Sequence, residues 1–102
     1  MTKLRPVSPG EILLEEFMKP YGISQNKLAR DIDVPPGRIN QIIKSTRSIT
    51  VETALKFSQY FGTTAQFWLN LQNHYDLRVA QQSYWPKMLK MIRPIELQPV
   101  LA

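Results

Sequence analysis

Two short helical patterns lie close together between residues 24 and 44, and this spacing constrains the fold more than any other feature of the chain. The first pattern begins at Ser24, whose hydroxyl suits a helix N-cap, and it stops near Asp33. A turn of roughly three or four residues follows, and the second pattern begins near Pro36, with this proline at the first helical position. The spacing therefore predicts two short helices joined by a tight turn, a helix-turn-helix arrangement.

Three further helical patterns flank this pair, without strand alternation or internal repeats. Each begins with a hydroxyl side chain that can cap it: Ser8, Thr50, and either Thr63 or Thr64. Pro9 and Glu11 complete the signature of a capping box after Ser8. The sequence therefore predicts an all-α chain with five helices.

Residues 1–82 are predicted to form one domain, and residues 83–102 a C-terminal tail that is either part of a dimer interface or flexible. The change comes after Gln82, where prolines recur and no helical period is sustained. The chain has 102 residues, which is the size of one small domain. No apolar run approaches the roughly 20 residues that span a bilayer, so no membrane partner is expected.

Composition excludes several classes of active site. The chain has no Cys and one His, His74, so thiol and multi-histidine metal sites are excluded, and the absence of Cys fits a reducing cytoplasm. His74 and Asp76 are two residues apart on a predicted helix and do not face each other, which is no evidence for a catalytic triad. No glycine-rich phosphate loop occurs. We expect no enzyme activity, no cofactor and no metal.

The second helix of the pair has two contrasting sides. Its buried side is predicted to carry Ile39, Ile42 and Ile43. Its outer side carries Gly37, Gln41 and Lys44, flanked by Arg38 and Asn40. This outer side has no acid and no large apolar group, and its donors and acceptors suit base edges and phosphates. With a net charge of +5, the pattern favours DNA as the partner.

The run "GISQNKLARDIDVPPGRINQIIKSTRSIT" resembles the Xre/Cro-type helix-turn-helix family, and the positions that carry the resemblance are Gln25, Leu28, Ala29, Val34, Ile39 and Ile42. The longer run from "PGEILLEEFMKPYGISQNKLA" to "TALKFSQYFGTTAQFWLNLQNHYDLRVA" is similar to HigA-type (VapI-like) antitoxins. This resemblance implies a five-helix antitoxin that binds a RelE/HigB-like ribonuclease toxin and represses its own operon. Pro36 and Gly37 depart from the phage repressors of this superfamily, which often carry base-reading polar side chains there.

The predicted DNA-binding residues combine the outer face of the second helix with its surroundings. The resemblance places Gln25 at a family position that touches phosphate, and the basic residues cluster around one helix end. The predicted set is Ser24, Gln25, Pro36, Gly37, Arg38, Asn40, Gln41, Lys44, Ser45 and Arg47. Ordinary surface charges are the alternative for the three basic residues.

The last predicted helix and the start of the tail carry more aromatic surface than one small core can use. Operators of this class are read as paired half-sites about 34 Å apart, so we expect a symmetric homodimer. The predicted seam comprises Phe67, Trp68, Leu71, Tyr75, Tyr84 and Trp85. Trp68, Leu71 and Tyr75 also have the spacing of core residues, and the pattern does not separate the two roles.

Glu15 and Glu16 are the predicted toxin-facing residues, and an ordinary solvated helix face is the alternative for both. They lie about one turn past the start of the first helix, where the favourable effect of the helix dipole on acids fades. A toxin that binds RNA should present a basic surface, which acids would complement. Two other functions remain open at this point: a stand-alone transcription regulator with the same fold, and a helical protein-interaction module. In each case a cytoplasmic protein is expected.

Overall fold

The computed structural model describes residues 5–97 and residue 100, and in this part of the chain all regular structure is helical. The first helix, α1, spans Pro9–Ile12 and continues through a π-helical stretch, Leu13–Met18, into a 3₁₀ turn, Lys19–Tyr21. Five helices follow: α2 (Gln25–Asp31), α3 (Arg38–Ile43), α4 (Val51–Phe61), α5 (Ala65–Gln82) and α6 (Trp85–Leu89). None of the described helices is long and apolar enough to cross a membrane.

Four hydroxyl side chains begin helices as the sequence predicts. In each case the side-chain oxygen accepts a hydrogen bond from the backbone N–H three residues later, at 3.1 to 3.4 Å, and the four residues are Ser8, Ser24, Thr50 and Thr64. Thr64 is thus the cap of α5, and Thr63 has another role, because its hydroxyl accepts a hydrogen bond from Trp68 Nε1 at 2.7 Å. Each such cap stabilises a helix by about 1 kcal/mol.

The region after Gln82 contains a short helix that the sequence analysis did not predict. Ser83 and Tyr84 make a turn, and α6 then packs beside α5. Beyond Leu89 the described residues have no regular structure and are exposed. The end of the predicted tail, residues 98, 99, 101 and 102, and residues 1–4 of the predicted domain lie outside the described residues.

The core forms where the helices around α5 converge. Its buried members are Leu13, Met18, Leu28, Ala29, Ile32, Ile39, Ile42, Ile49, Ala54, Phe57 and Trp68. Trp68 lies at the centre, 0% exposed, with its ring centroid 4.9 Å from those of Phe17 and Phe57. The prediction of Trp68 as a seam residue is therefore wrong, because its own core uses the whole indole and leaves no surface for a second copy.

A polar contact at the surface holds α2 against α4. Tyr60 of α4 donates a 2.6 Å hydrogen bond to the carboxylate of Asp31, which also receives the ammonium group of Lys27 at 2.8 Å. The hydrogen bonds from Lys27 and from Tyr60 lower the pKa of Asp31 below its ordinary value. The charged carboxylate is thus the form that holds the first helix of the helix-turn-helix pair in place.

Candidate nucleic-acid interface

The turn between α2 and α3 contains both prolines. Asp33 adopts a left-handed conformation with φ of 56°, and the N–H of Val34 bonds the carbonyl of Ala29 at 3.0 Å. α3 begins at Arg38 with Gly37 as its N-cap residue, so the prediction that Pro36 occupies the first helical position is wrong. Pro36 is instead the second residue of a tight turn, which the N–H of Arg38 closes by bonding the carbonyl of residue 35 at 2.9 Å. The first i→i−4 bond of α3 follows this turn and joins the N–H of Gln41 to the carbonyl of Gly37 at 3.1 Å.

α3 presents one polar face outwards. Ile39 and Ile42 are buried and Ile43 is half-buried, in agreement with the predicted inner side. Residues of the predicted DNA-binding set that are exposed in the structure are Ser24, Pro36, Gly37, Gln41, Lys44, Ser45 and Arg47. The remaining three, Gln25, Arg38 and Asn40, are half-buried. All ten lie on α2, on α3 or in the loops that border them.

A hydrogen bond joins the two helices at this face. Asn40 Nδ2 of α3 donates to Gln25 Oε1 at the start of α2, at 3.2 Å. The bond connects residues 15 positions apart, so it fixes the distance between the N-terminal turn of α2 and the outer side of α3. Both amides are therefore oriented before any ligand arrives, which reduces the entropy lost on binding.

The loop after α3 folds back over the same face. Ser45 has a φ of 63°, and the backbone N–H groups of Thr46 and Arg47 both bond the carbonyl of Gln41, at 3.0 and 3.3 Å. Arg47 Nε then donates to Gln41 Oε1 at 2.8 Å. This contact places a guanidinium against the exposed glutamine of α3. The Nε2 amide nitrogen of Gln41 remains available to donate a hydrogen bond to a ligand.

The charge on this face is of one sign. Residues 34–51 contain no acid and three basic residues, Arg38, Lys44 and Arg47. None of the three forms an ion pair with any residue that the structure describes. Unpaired cations on an exposed face are suited to phosphate groups, whose contacts dominate affinity for DNA.

Two residues that the sequence analysis missed hold α3 and its loop in position. The first is Gly10, at the second position of α1. A Cβ at this residue would lie 2.2 Å from the carbonyl oxygen of Ile42 and 2.6 Å from the Cα of Ile43. α1 therefore packs directly on the C-terminal end of α3. A glycine inside a predicted helix is itself a signal of close backbone approach.

The second missed residue is Gln72 of α5, which is buried. Its side-chain oxygen accepts a 2.8 Å hydrogen bond from the backbone N–H of Ile49, and its amide nitrogen donates to Asp76 at 2.9 Å. Gln72 thus attaches the loop between α3 and α4 to the longest helix. No sequence pattern indicates this contact, since the partners are 23 residues apart.

The predicted seam residues other than Trp68 lie on or near the surface of the chain. Phe67, Tyr84 and Trp85 are exposed, while Leu71 and Tyr75 are half-buried. Tyr84 and Trp85 line an apolar groove between α5 and α6, together with Leu77 and Met88.

The predicted toxin-facing acids are both exposed, but their surroundings differ. The carboxylate of Glu15 receives the ammonium group of Lys19 at 2.8 Å, an exposed i, i+4 ion pair. Glu16 has no ion pair with any described residue. The nearby Glu11 pairs with Arg5 of the N-terminal arm.

Comparisons with known proteins agree with this geometry. A family model described as helix-turn-helix matches residues 14–68. "Virulence-associated protein I" of Dichelobacter nodosus is 51% identical over 76 residues, which are 74% of this chain and 70% of that protein. "Antitoxin HigA-1" of Vibrio cholerae is 35% identical over 94 residues, or 92% of this chain and 88% of that protein.

A solved structure extends the likeness to the fold. The Pseudomonas aeruginosa antitoxin HigA, determined with the higBA promoter, superimposes with a TM-score of 0.86 and 38% identity. The match covers 90% of this chain and all of that one. The chain therefore belongs to the Xre-type helix-turn-helix family, as a HigA-type (VapI-like) antitoxin.

Proposed function

We propose that this antitoxin binds its own operator as a homodimer, through α2 and α3, and neutralises a RelE/HigB-like ribonuclease toxin. The observation that carries the DNA-binding part is the acid-free face of α3, with exposed Gln41 and Lys44 and with Arg47 against Gln41. The solved relative that was determined with promoter DNA supports the same reading.

In this proposal the residues divide into base readers and phosphate contacts. Gln41 and Arg38 project from α3 into the major groove, where glutamine pairs with adenine and arginine with guanine. Gln25, Lys44, Ser45 and Arg47 hold phosphates on either side, with Ser24, Pro36, Gly37 and Asn40 at the rim of the contact. Gln25 and Asn40 support each other through their hydrogen bond, so the phosphate contact and the reading helix move as one unit.

Replacing Gln41 or Arg38 with alanine is expected to weaken operator binding by about 1–3 kcal/mol and to relax specificity at one base pair. Fluorescence anisotropy on the mapped operator and on its single-base variants measures both effects. The matched control is Lys44→Ala, which should weaken binding to all sequences alike and flatten the dependence on salt. Parental affinity in both the Gln41 and Arg38 variants would show that the reading face lies elsewhere.

The toxin part of the proposal assigns the contact to Glu15 and Glu16 on the first helical segment. Helix α3 has no acid, so the molecule would have two working faces of opposite sign, and DNA and toxin could be bound together. The acids complement the basic surface that an RNA-cutting toxin needs. Glu16, which has no ion pair in the described part of the chain, is the stronger of the two candidates, since Glu15 must first release Lys19.

Reversing both acids, Glu15→Lys with Glu16→Lys, is expected to weaken toxin binding while leaving operator affinity equal or higher. The probe is the product of the reading frame that adjoins this gene, tested by co-purification and by rescue of growth. The matched control reverses Glu52 and Glu96, two exposed acids elsewhere, and so makes the same change in net charge. Full neutralisation by the Glu15 and Glu16 variant would exclude this surface.

The gene neighbourhood also separates this function from the stand-alone regulator. A small toxin gene beside this one supports the antitoxin role, whereas operator binding without any toxin neighbour supports a regulator alone. Phosphate contacts release counterions, so DNA binding through this face must weaken as the salt concentration rises. A protein that shows no such salt-dependent binding to DNA would be an interaction module only.

A further inference from the structure

A basic cavity lies outside the predicted DNA-binding set, between the N-terminal arm and α5. Its volume is about 220 Å³, and its walls include Arg5, Val7, His74, Tyr75 and Arg78. His74 and Arg78 are four residues apart on α5, so their side chains project from the same face of the helix. Two guanidinium groups and one imidazole thus border a single concave site.

The two arginines differ in their pairing. Arg5 forms an ion pair with Glu11 of α1, which holds the arm against the helical body. Arg78 is exposed and has no ion pair with any described residue. An arginine that is open on a concave wall offers the planar set of N–H donors that binds phosphate in a bidentate manner.

The cavity adjoins the loop that follows α3. Tyr75 lines this cavity and also a second, smaller cavity of about 60 Å³. Ser45 and Arg47 border the smaller cavity. The acid at this junction is Asp76, and its carboxylate accepts the hydrogen bond from Gln72. Tyr75 thus lies between the proposed phosphate contacts of the loop and Arg78, with Asp76 as an exposed acid beside it.

We propose that the cavity at Arg78 and His74 binds a backbone phosphate of the operator, one that lies beyond those held by α3 and its loop. This inference rests on the proposed DNA-binding function and extends its footprint onto α5. Arg78 supplies the charge and His74 a ring N–H, while Arg5, fixed by Glu11, forms the opposite wall. The contact carries no sequence information, because every nucleotide has the same phosphate.

The test is operator binding by Arg78→Gln between 50 and 200 mM salt, followed by phosphate ethylation interference. A dimer that loses two phosphate contacts should lose about 1.8 from the slope of log affinity against log salt. The advantage of the parent over the variant should then be about tenfold larger at 50 mM than at 200 mM salt. In Arg78→Gln, ethylation of one phosphate per half-site should no longer interfere with binding. Ethylation of that same phosphate should still interfere with binding of the Arg47→Gln variant.

The matched control is Arg93→Gln, which removes the same charge from the exposed segment beyond α6. Arg78→Lys keeps the charge and should recover most of the salt slope. A parental slope and interference pattern in Arg78→Gln would overturn the proposal, as would an equal effect of Arg93→Gln. Loss of toxin binding with unchanged DNA binding would overturn the proposal and assign the cavity to the toxin interface instead. Footprinting by the parent protein separates these failures from a failure of DNA binding itself.

Discussion

Replacing Gly10 with alanine is expected to lower the free energy of unfolding by about 3 kcal/mol, which for a domain of this size lowers Tm by about 10–20 °C. A Cβ at this position would lie 2.2 Å from the carbonyl oxygen of Ile42, and the backbone of α3 cannot rotate away as a side chain could. Alanine normally favours a helix by about 1 kcal/mol over glycine, so the clash must overcome that gain. Urea and thermal unfolding followed by circular dichroism measure the change.

The same substitution at Gly37 is the control. A Cβ there would meet nothing within 4 Å, and the residue has an ordinary negative φ. As the N-cap of α3, Gly37→Ala should cost less than about 1 kcal/mol. Similar losses in the two variants would mean that the contact between α1 and the end of α3 does not limit stability.

Introducing a charge at Leu77 is expected to give the second large effect. Leu77 is 57% exposed on α5 and borders the apolar groove that contains Tyr84 and Trp85. We expect this groove to form the homodimer seam, so Leu77→Asp places one carboxylate from each protomer in an apolar interface and separates the protomers. A monomer can bind only one half-site at a time, so operator binding should weaken by about a hundredfold or more. Sedimentation at micromolar concentration and anisotropy on the full operator measure the two consequences.

Leu55→Asp provides a closely matched control for this experiment. Leu55 is 56% exposed, on α4, so the chemical change and the exposure of the side chain are the same. We expect the Leu55 variant to sediment and to bind DNA like the parent. If the dimer persists in Leu77→Asp but dissociates in Leu55→Asp, the dimer interface lies on α4. A parent protein that sediments as a monomer would contradict the predicted dimer altogether.

Much of the fold follows from the sequence because its signals act over short distances. The hydrogen bonds that begin α1, α2, α4 and α5 each connect residues three apart, so Ser8, Ser24, Thr50 and Thr64 identify the helix starts without knowledge of the rest of the chain. α3 begins two residues later than the sequence predicts, for a related reason. Proline fits both the first turn of a helix and a tight turn. The two are distinguished by the first i→i−4 bond of α3, which joins the N–H of Gln41 to the carbonyl of Gly37.

The residue types of the candidate site can also be predicted from the sequence, but the contacts that bring these residues together cannot. The absence of acid from residues 34–51 and the helical spacing of Ile39 and Ile42 define a polar outer face by composition and period alone. The contact of Arg47 with Gln41 depends on a left-handed Ser45, and the bond between Gln25 and Asn40 depends on how the two helices pack. Such geometry arises only when distant backbone segments meet.

By itself, the sequence determined which residues begin the helices, which face of α3 is polar, and which family the chain resembles. Tertiary structure alone decided that Trp68 belongs to the core, that Gly10 admits no side chain, and that Arg78 borders a cavity with Arg5. The physical reason is the same in all three cases. The helical spacing of apolar residues predicts that one face of a helix will be buried, but not which residues pack against it. Burial, steric exclusion and charge pairing depend on residues that are distant along the chain.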